Sequence, residues 1–378
     1  MSGLWSTRRR SVVFRAGTRC ALRSVQGMLR SAAWPASARS VDTAAVERSA
    51  LTVAPSGRHG ASPADRLAFA GSVATTAPLL SAGSAGGSFA TLAAVAAADV
   101  ALARTVEPHL DALGILAQAG VPAAAGSTWG VFAAEGPDVR LTATPCDGDD
   151  VVLDGTKPWC SLASTLSHAL VTAHVGDDRQ LFAVDLRQDG VTVHDEAWVA
   201  RGMPDVPSGP VDFAGVRATP VGAPGWYLTR PGFAWGGIGV AACWWGGAVG
   251  LGRNLRDLAL ARPGSELLQA ALGATVADLA DAEDALADAA ARIDGSVPTG
   301  TSEPDWPLLA QTVRSRVRRA VDAVRERVVR TIGPAPLTSD AAVAARVADL
   351  ELYVLQDHGE RDLARIGRIV VERGGVAW

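Results

Sequence analysis

From Pro231 to Gly252 the chain reads PGFAWGGIGVAACWWGGAVGLG, 22 residues without a charged side chain. A run of that length can cross a bilayer. It opens on Pro-Gly, however, carries glycine throughout, and is followed by segments with amphipathic helical patterning. Those features predict a helix buried on all sides within a large bundle, its glycines letting neighbouring backbones approach. No membrane span is expected.

The segments that follow supply partners for such a helix. In 266–292, Leu268, Leu272, Val276, Leu279 and Leu286 keep one face; in 307–330, Leu309, Val313, Val317, Val321, Val324 and Val328 do the same. In 341–357, Val343, Val347, Leu350 and Val354 repeat at near-heptad spacing. Long helices with one apolar stripe pack on each other, so residues 226–378 predict a four-helix bundle. Residues 42–125 are Ala- and Leu-rich with a helical period. Between them, residues 126–225 hold short apolar runs spaced by Gly, Asp and Pro, such as VRLTATP, VVLDG, QLFAVDL and PVDFAGV. That texture predicts an antiparallel β-barrel or sandwich, with Asp149–Asp150 and Asp177–Asp178 at hairpin turns. The expected class is α+β with several domains: helices, a middle β domain, then the bundle.

Charge is uneven. Residues 1–41 hold eight arginines and no acid, which predicts a disordered extension or an over-long start. The remainder carries a net charge of −12, which speaks against nucleic acid held on a general basic face. Cys20, Cys146, Cys160 and Cys243 form no CxxC pair and no metal spacing, and the six histidines form no HExxH, so a reducing, cytoplasmic setting and no metal site are expected. No GxGxxG or Walker loop appears.

Four places carry possible chemistry. Trp159 and Ser161 follow a Gly-Thr turn beside Lys157, the only lysine in the chain. An aromatic plane beside a hydroxyl suits a flat heterocycle, or equally a core tryptophan with a turn serine. Arg262, between two helical segments, suits a phosphate through its planar fork, or is a solvated surface arginine. The arginines of 307–330 (Arg314, Arg316, Arg318, Arg319, Arg325, Arg327 and Arg330) read mostly as a solvated face. Finally, Asp357, His358, Glu360, Arg361 and Asp362 cluster after an apolar helix. A partly desolvated carboxylate there is a stronger base, and a salt-bridged surface is the other reading.

The order of these segments, with VVLDGTKPWCSLASTLSHALVTAHV, RGMPDVPSGPVDFAGVRATPVG and ALARPGSELLQAALG, resembles the acyl-CoA dehydrogenases from about Thr91 to Arg368. The resemblance implies FAD as cofactor, with Trp159 stacked on the flavin and Ser161 at its ring edge. It implies Arg262 at the pyrophosphate across a subunit contact, Gln269 beside it, and Gly333 at the family's first glycine after the third bundle helix. It further implies an acyl-CoA substrate, an electron-transferring flavoprotein as acceptor, and a homo- or hetero-oligomer. The base falls on Asp357, or on Glu360 with the helix shifted by a turn.

The departures are specific. FAAEGPDV stands where members carry Thr-Glu-Pro-x-x-Gly-Ser-Asp, and Pro334 replaces the second glycine after Gly333. The usual Tyr-Glu-Gly glutamate is an aspartate followed by His358. These departures leave open a degenerate partner subunit, and a flavin-dependent monooxygenase or oxidase on the same fold, for which that glutamate is not needed. A helical membrane or scaffold protein built around 231–252 is the alternative from another class.

Overall fold

The computed structural model describes residues 28–54, 61–146, 150–295 and 304–375. Five helices come first: α1 (Ala36–Arg39), α2 (Thr43–Val53), α3 (Pro63–Ala74), α4 (Ala85–Ala98) and α5 (Val100–Ala119). Seven strands follow: β1 (Trp129–Phe132), β2 (Leu141–Pro145), β3 (Val151–Lys157), β4 (His168–Val175), β5 (Asp178–Asp185), β6 (Val191–Val193) and β7 (Val211–Val221). The rest is helical: α6 (Trp226–Thr229), α7 (Pro231–Ala261), α8 (Glu266–Ile293), α9 (Trp306–Ile332), α10 (Pro334–Ser339), α11 (Ala341–Tyr353) and α12 (Glu360–Glu372).

The uncharged segment is the first two-thirds of α7. Among the described residues no helix is long and apolar enough to cross a membrane. Instead α7 threads the centre of the bundle, with Trp244 and Trp245 fully buried. Its glycines set the packing distance to α4, itself buried along its whole length. A Cβ on Gly246 would stand 2.2 Å from the carbonyl oxygen of Ala93, and one on Gly250 2.9 Å from that of Ala97. The N-terminal helices and the bundle therefore share one continuous core.

The strands close into a barrel: β4 pairs β2, then β3, β7 and β5 follow in order, and β5 returns to β4. The expectation of a purely antiparallel domain needs correction at two pairings. Strands β1 and β2 both lie parallel to β4, β1 along His168–Val171 and β2 at His174. The β2–β3 hairpin intervenes in sequence, so β4 comes back running the same way as β1. The turn at Asp177 joins β4 to β5 through Gly176, whose φ of 61° suits glycine. Asp149 lies outside the described residues.

The Arg-rich start also needs correction. Residues 1–27 lie outside the described residues, but 28–41 are packed rather than loose. Trp34 is 2% exposed and donates from Nε1 to Glu283 Oε1 at 2.9 Å, and the backbone N–H of Ser31 donates to the same oxygen at 2.8 Å. Burying an indole recovers several kcal/mol only when its N–H is satisfied, and Glu283 on α8 does that.

Helix α5 joins the two halves. Asp99 caps its start by accepting from the backbone N–H of Leu102, and Gly120 ends it in the left-handed region. One face, Ala112, Ile115 and Leu116, packs on Trp129, Leu170, Leu181 and Val221 of the barrel. Residues nearer its start join the bundle core.

Candidate functional site between barrel and bundle

The Lys157 loop leaves β3 with unusual backbone geometry. Trp159 and Leu162 have φ of 60° and 61°, and Met203, in the facing segment, has 50°. Left-handed backbone at non-glycine residues costs of order 1–3 kcal/mol each and persists where surroundings enforce it. The enforcement is visible: the backbone N–H groups of Cys160 and Leu162 donate to the carbonyls of Gly209 (3.0 Å) and Pro207 (2.7 Å). Lys157 itself is buried, donating from Nζ to Glu135 Oε1 at 2.7 Å and Thr172 Oγ1 at 2.9 Å. The solitary lysine anchors the root of this loop. What the anchored loop presents is the Trp159 ring, 61% exposed. An exposed indole on a strained, pinned backbone fits a planar ring stacked against it, so the residues present fit a flavin.

Ser161 is buried next to it. Its Oγ accepts from Arg104 Nη2 at 3.1 Å and lies 2.8 Å from Ser208 Oγ. Arg104 then reaches Glu107 Oε2 through Nη1 at 3.2 Å, and its guanidinium sits 5.8 Å from the centre of the Tyr353 ring. Arg104, Glu107 and Asp111 are spaced i, i+3, i+7, one face of α5. Burial pushes the Glu107 carboxyl up to about 7, with Arg104 opposing and Asp111 adding to the rise. Asp111 is raised as well by burial, with Arg230 pulling it back.

Glu107 and Asp111 line a cavity of about 1020 Å³ whose other walls come from α6, the first turns of α7 and α9, and α12. Arg314 is on its wall. It donates to the carbonyls of Gly237 (2.8 Å) and Gln356 (2.9 Å) and covers the Trp244 ring at 4.6 Å. Arg314 therefore departs from the solvated-face expectation, while Arg330 is exposed and pairs with Glu326. Arg230, only 8% exposed, donates to Gln118 Oε1 at 2.7 Å and faces the Trp226 and Tyr227 rings.

The other expected site residues lie elsewhere. Asp357 is buried, accepts from the backbone N–H of Gly359 at 2.9 Å and faces Arg318 Nε at 3.7 Å. It does not line the cavity, and neither does Glu360, exposed at the start of α12. Arg262 is exposed where α7 ends, and Gln269 turns back to donate to the Pro263 carbonyl at 2.6 Å. Gly333, with φ of 72°, joins α9 to α10. Thus Trp159 and Ser161 share one site, while Arg262, Gln269 and Gly333 are apart from it within this chain.

Sequence reasoning missed Arg104, Glu107 and Asp111. The available signal was RTVEPHLD, three charges on one face of an otherwise apolar helical run.

No protein-family model matches the sequence. A dibenzothiophene monooxygenase from Rhodococcus erythropolis is 36% identical over 96 residues, a match spanning 23% of each chain. The dibenzothiophene monooxygenase TdsC from Paenibacillus sp. A11-2, solved with FMN and indole, superposes with a TM-score of 0.71 at 20% identity, covering 87% of this chain and 96% of that one. A glutaryl-CoA dehydrogenase from Mycobacterium smegmatis, solved with FADH2, gives 0.69 at 17% identity, covering 91% and 94%. The chain has the acyl-CoA dehydrogenase-type fold. That fold hosts both oxygenation and dehydrogenation among these neighbours, so the choice rests on the site.

Proposed function

We propose that this chain is a flavin-dependent monooxygenase that acts with reduced flavin. The observation that carries the reading is the position of Asp357. The dehydrogenase resemblance makes it the base, yet its carboxylate is turned inward onto Gly359 and Arg318, away from the cavity. About 1 Å of misplacement already costs roughly 100-fold in such a role. The sequence likeness to a dibenzothiophene monooxygenase supports the same side.

A bound reduced flavin supplies activation of dioxygen, one oxygen atom going to the substrate and the other leaving as water. Trp159 offers the plane for that flavin, and FMN, the form held by TdsC, is the one to test before FAD. Ser161, fixed by Arg104 and Ser208, presents a hydroxyl at the ring's edge. Glu107, poised near neutrality, can hold or release a proton toward the cavity.

Glu107 also favours a second reading. As a carboxylate on the cavity it is the candidate base for α,β-dehydrogenation of an acyl-CoA, with an electron-transferring flavoprotein as acceptor. Anaerobic titration separates the two. The monooxygenase reading expects bound flavin to stay oxidised with butyryl-CoA; bleaching of its visible bands would instead establish dehydrogenation.

A further inference from the structure

The hydrogen bonds through Ser161 have a direction, fixed by the groups at the two ends of the chain. Arg104 is a guanidinium and can only donate, so its Nη2 gives a proton to Ser161 Oγ at 3.1 Å. At the other end Ser208 Oγ donates to the Val206 carbonyl at 3.1 Å, and a carbonyl can only accept. A hydroxyl has one proton, and Ser208 has committed its own. The 2.8 Å contact between the two serines therefore runs from Ser161 to Ser208. Arg104, Ser161, Ser208 and Val206 form one chain in which every donor points the same way.

The backbone keeps the two serines opposite each other. The N–H groups of Cys160 and Leu162, on either side of Ser161, donate to the carbonyls of Gly209 and Pro207, on either side of Ser208. Arg104 is steadied by Glu107 and lies over the Tyr353 ring. A serine oxygen has two lone pairs. Arg104 takes one of them, and the Ser161 proton goes to Ser208. What remains for a ring lying on Trp159 is a single lone pair, an acceptor with no proton to offer. The redox forms of a flavin differ in just that respect. Reduction turns a nitrogen of the ring edge from an acceptor into an N–H donor, and hydrogen bonds at the ring nitrogens tune the cofactor.

We propose that Ser208 is a positioning residue that makes Ser161 an acceptor at the flavin edge, so that the site binds reduced flavin more tightly than oxidised flavin. The proposal rests on the flavin reading of the Trp159 and Ser161 site.

Spectroelectrochemical titration of FMN bound to the full chain tests it, because the midpoint potential reads the relative affinity of the two redox forms. One hydrogen bond gained on reduction predicts reduced FMN bound roughly 10-fold more tightly than oxidised FMN, a rise of about 30 mV over free FMN. Ser208→Ala releases the Ser161 proton toward the ring and should return most of that rise. Ser208→Thr keeps a hydroxyl and should hold the wild-type potential. In a Ser161→Ala background, Ser208→Ala should change nothing further. A merely structural role for Ser208 would weaken both forms alike and leave the potential where it was, and that result overturns the proposal. So does a wild-type potential at or below that of free FMN, which decides even where a variant fails to fold. FMN held in both forms without the expected rise sinks this inference and leaves the flavin site standing. Failure to hold FMN in either form sinks the site reading, and this inference with it.

Discussion

Glu107 is the residue on which pH should act most directly. Its carboxyl is held near 7 in the folded chain against an ordinary value of 4.5. The native state therefore keeps a proton that the unfolded state releases. Stability from this group is full below about pH 4.5 and is lost as pH rises toward 7. The size is on the order of 3 kcal/mol. Urea unfolding at pH 5 and pH 8 should show wild type losing stability across that interval, and Glu107→Gln losing distinctly less. Asp349 adds a smaller loss of the same sign at lower pH, since burial raises it to about 6, and the variant leaves that part in place. Trp159 makes the opposite kind of prediction. Its ring is mostly in solvent, so Trp159→Ala should shift the urea midpoint little while weakening FMN by up to roughly 10-fold, the loss of one aromatic stack. Fluorescence titration of FMN checks it.

At the scale of elements, glycine decides how closely the helices and the barrel approach. Gly246→Ala would push a methyl group into the Ala93 carbonyl across the α7–α4 crossing, where both backbones are fixed. We expect a loss of about 3 kcal/mol or more, read by chemical denaturation. Gly202 does the same work between barrel and bundle: its Cβ would lie 2.2 Å from the Ala348 carbonyl oxygen of α11. Beside it, Asp349 takes the backbone N–H of Met203. Gly202→Ala should loosen this docking and lower flavin affinity in the same titration, because Trp159 is pinned by the neighbouring 207–209 segment.

These elements were legible in sequence to different degrees. Helices α8, α9 and α11 followed from periodicity, because one buried face leaves a 3.6-residue signature, and α7 from its long uncharged run. The parallel partners of β4 did not, since a strand's pattern records which face is buried and not the direction of its neighbour. Trp159 and Ser161 came together because they are two residues apart on one loop. Asp357 looked like a base because alignment carries a position and no side-chain direction, whereas Arg318 and Gly359 set that direction. Arg104 meets Ser161 across 57 positions, a separation no local pattern encodes.

For the whole molecule, apolar side chains left in solvent mark where other surfaces belong. Leu260 and Leu267 are exposed at the α7–α8 corner, Val276 about three turns along α8, and Leu363 and Val371 on α12. Arg262 is exposed at that same corner, where we propose it reaches a neighbouring subunit. Sedimentation velocity should give a dimer or larger, and Leu267→Glu with Val276→Glu should shift it toward monomer. A flavin site completed by Arg262 from a second copy would lose affinity in step.

The central claim is oxygen transfer, and isotope labelling reads it most directly. The purified chain would be given chemically reduced FMN, indole and ¹⁸O₂, and the organic product weighed by mass spectrometry. The account predicts product carrying one ¹⁸O atom, absent without the chain and strongly reduced in Trp159→Ala. Unlabelled indole throughout, together with bleaching of the oxidised flavin by an acyl-CoA under anaerobic conditions, would contradict it and make the chain a dehydrogenase.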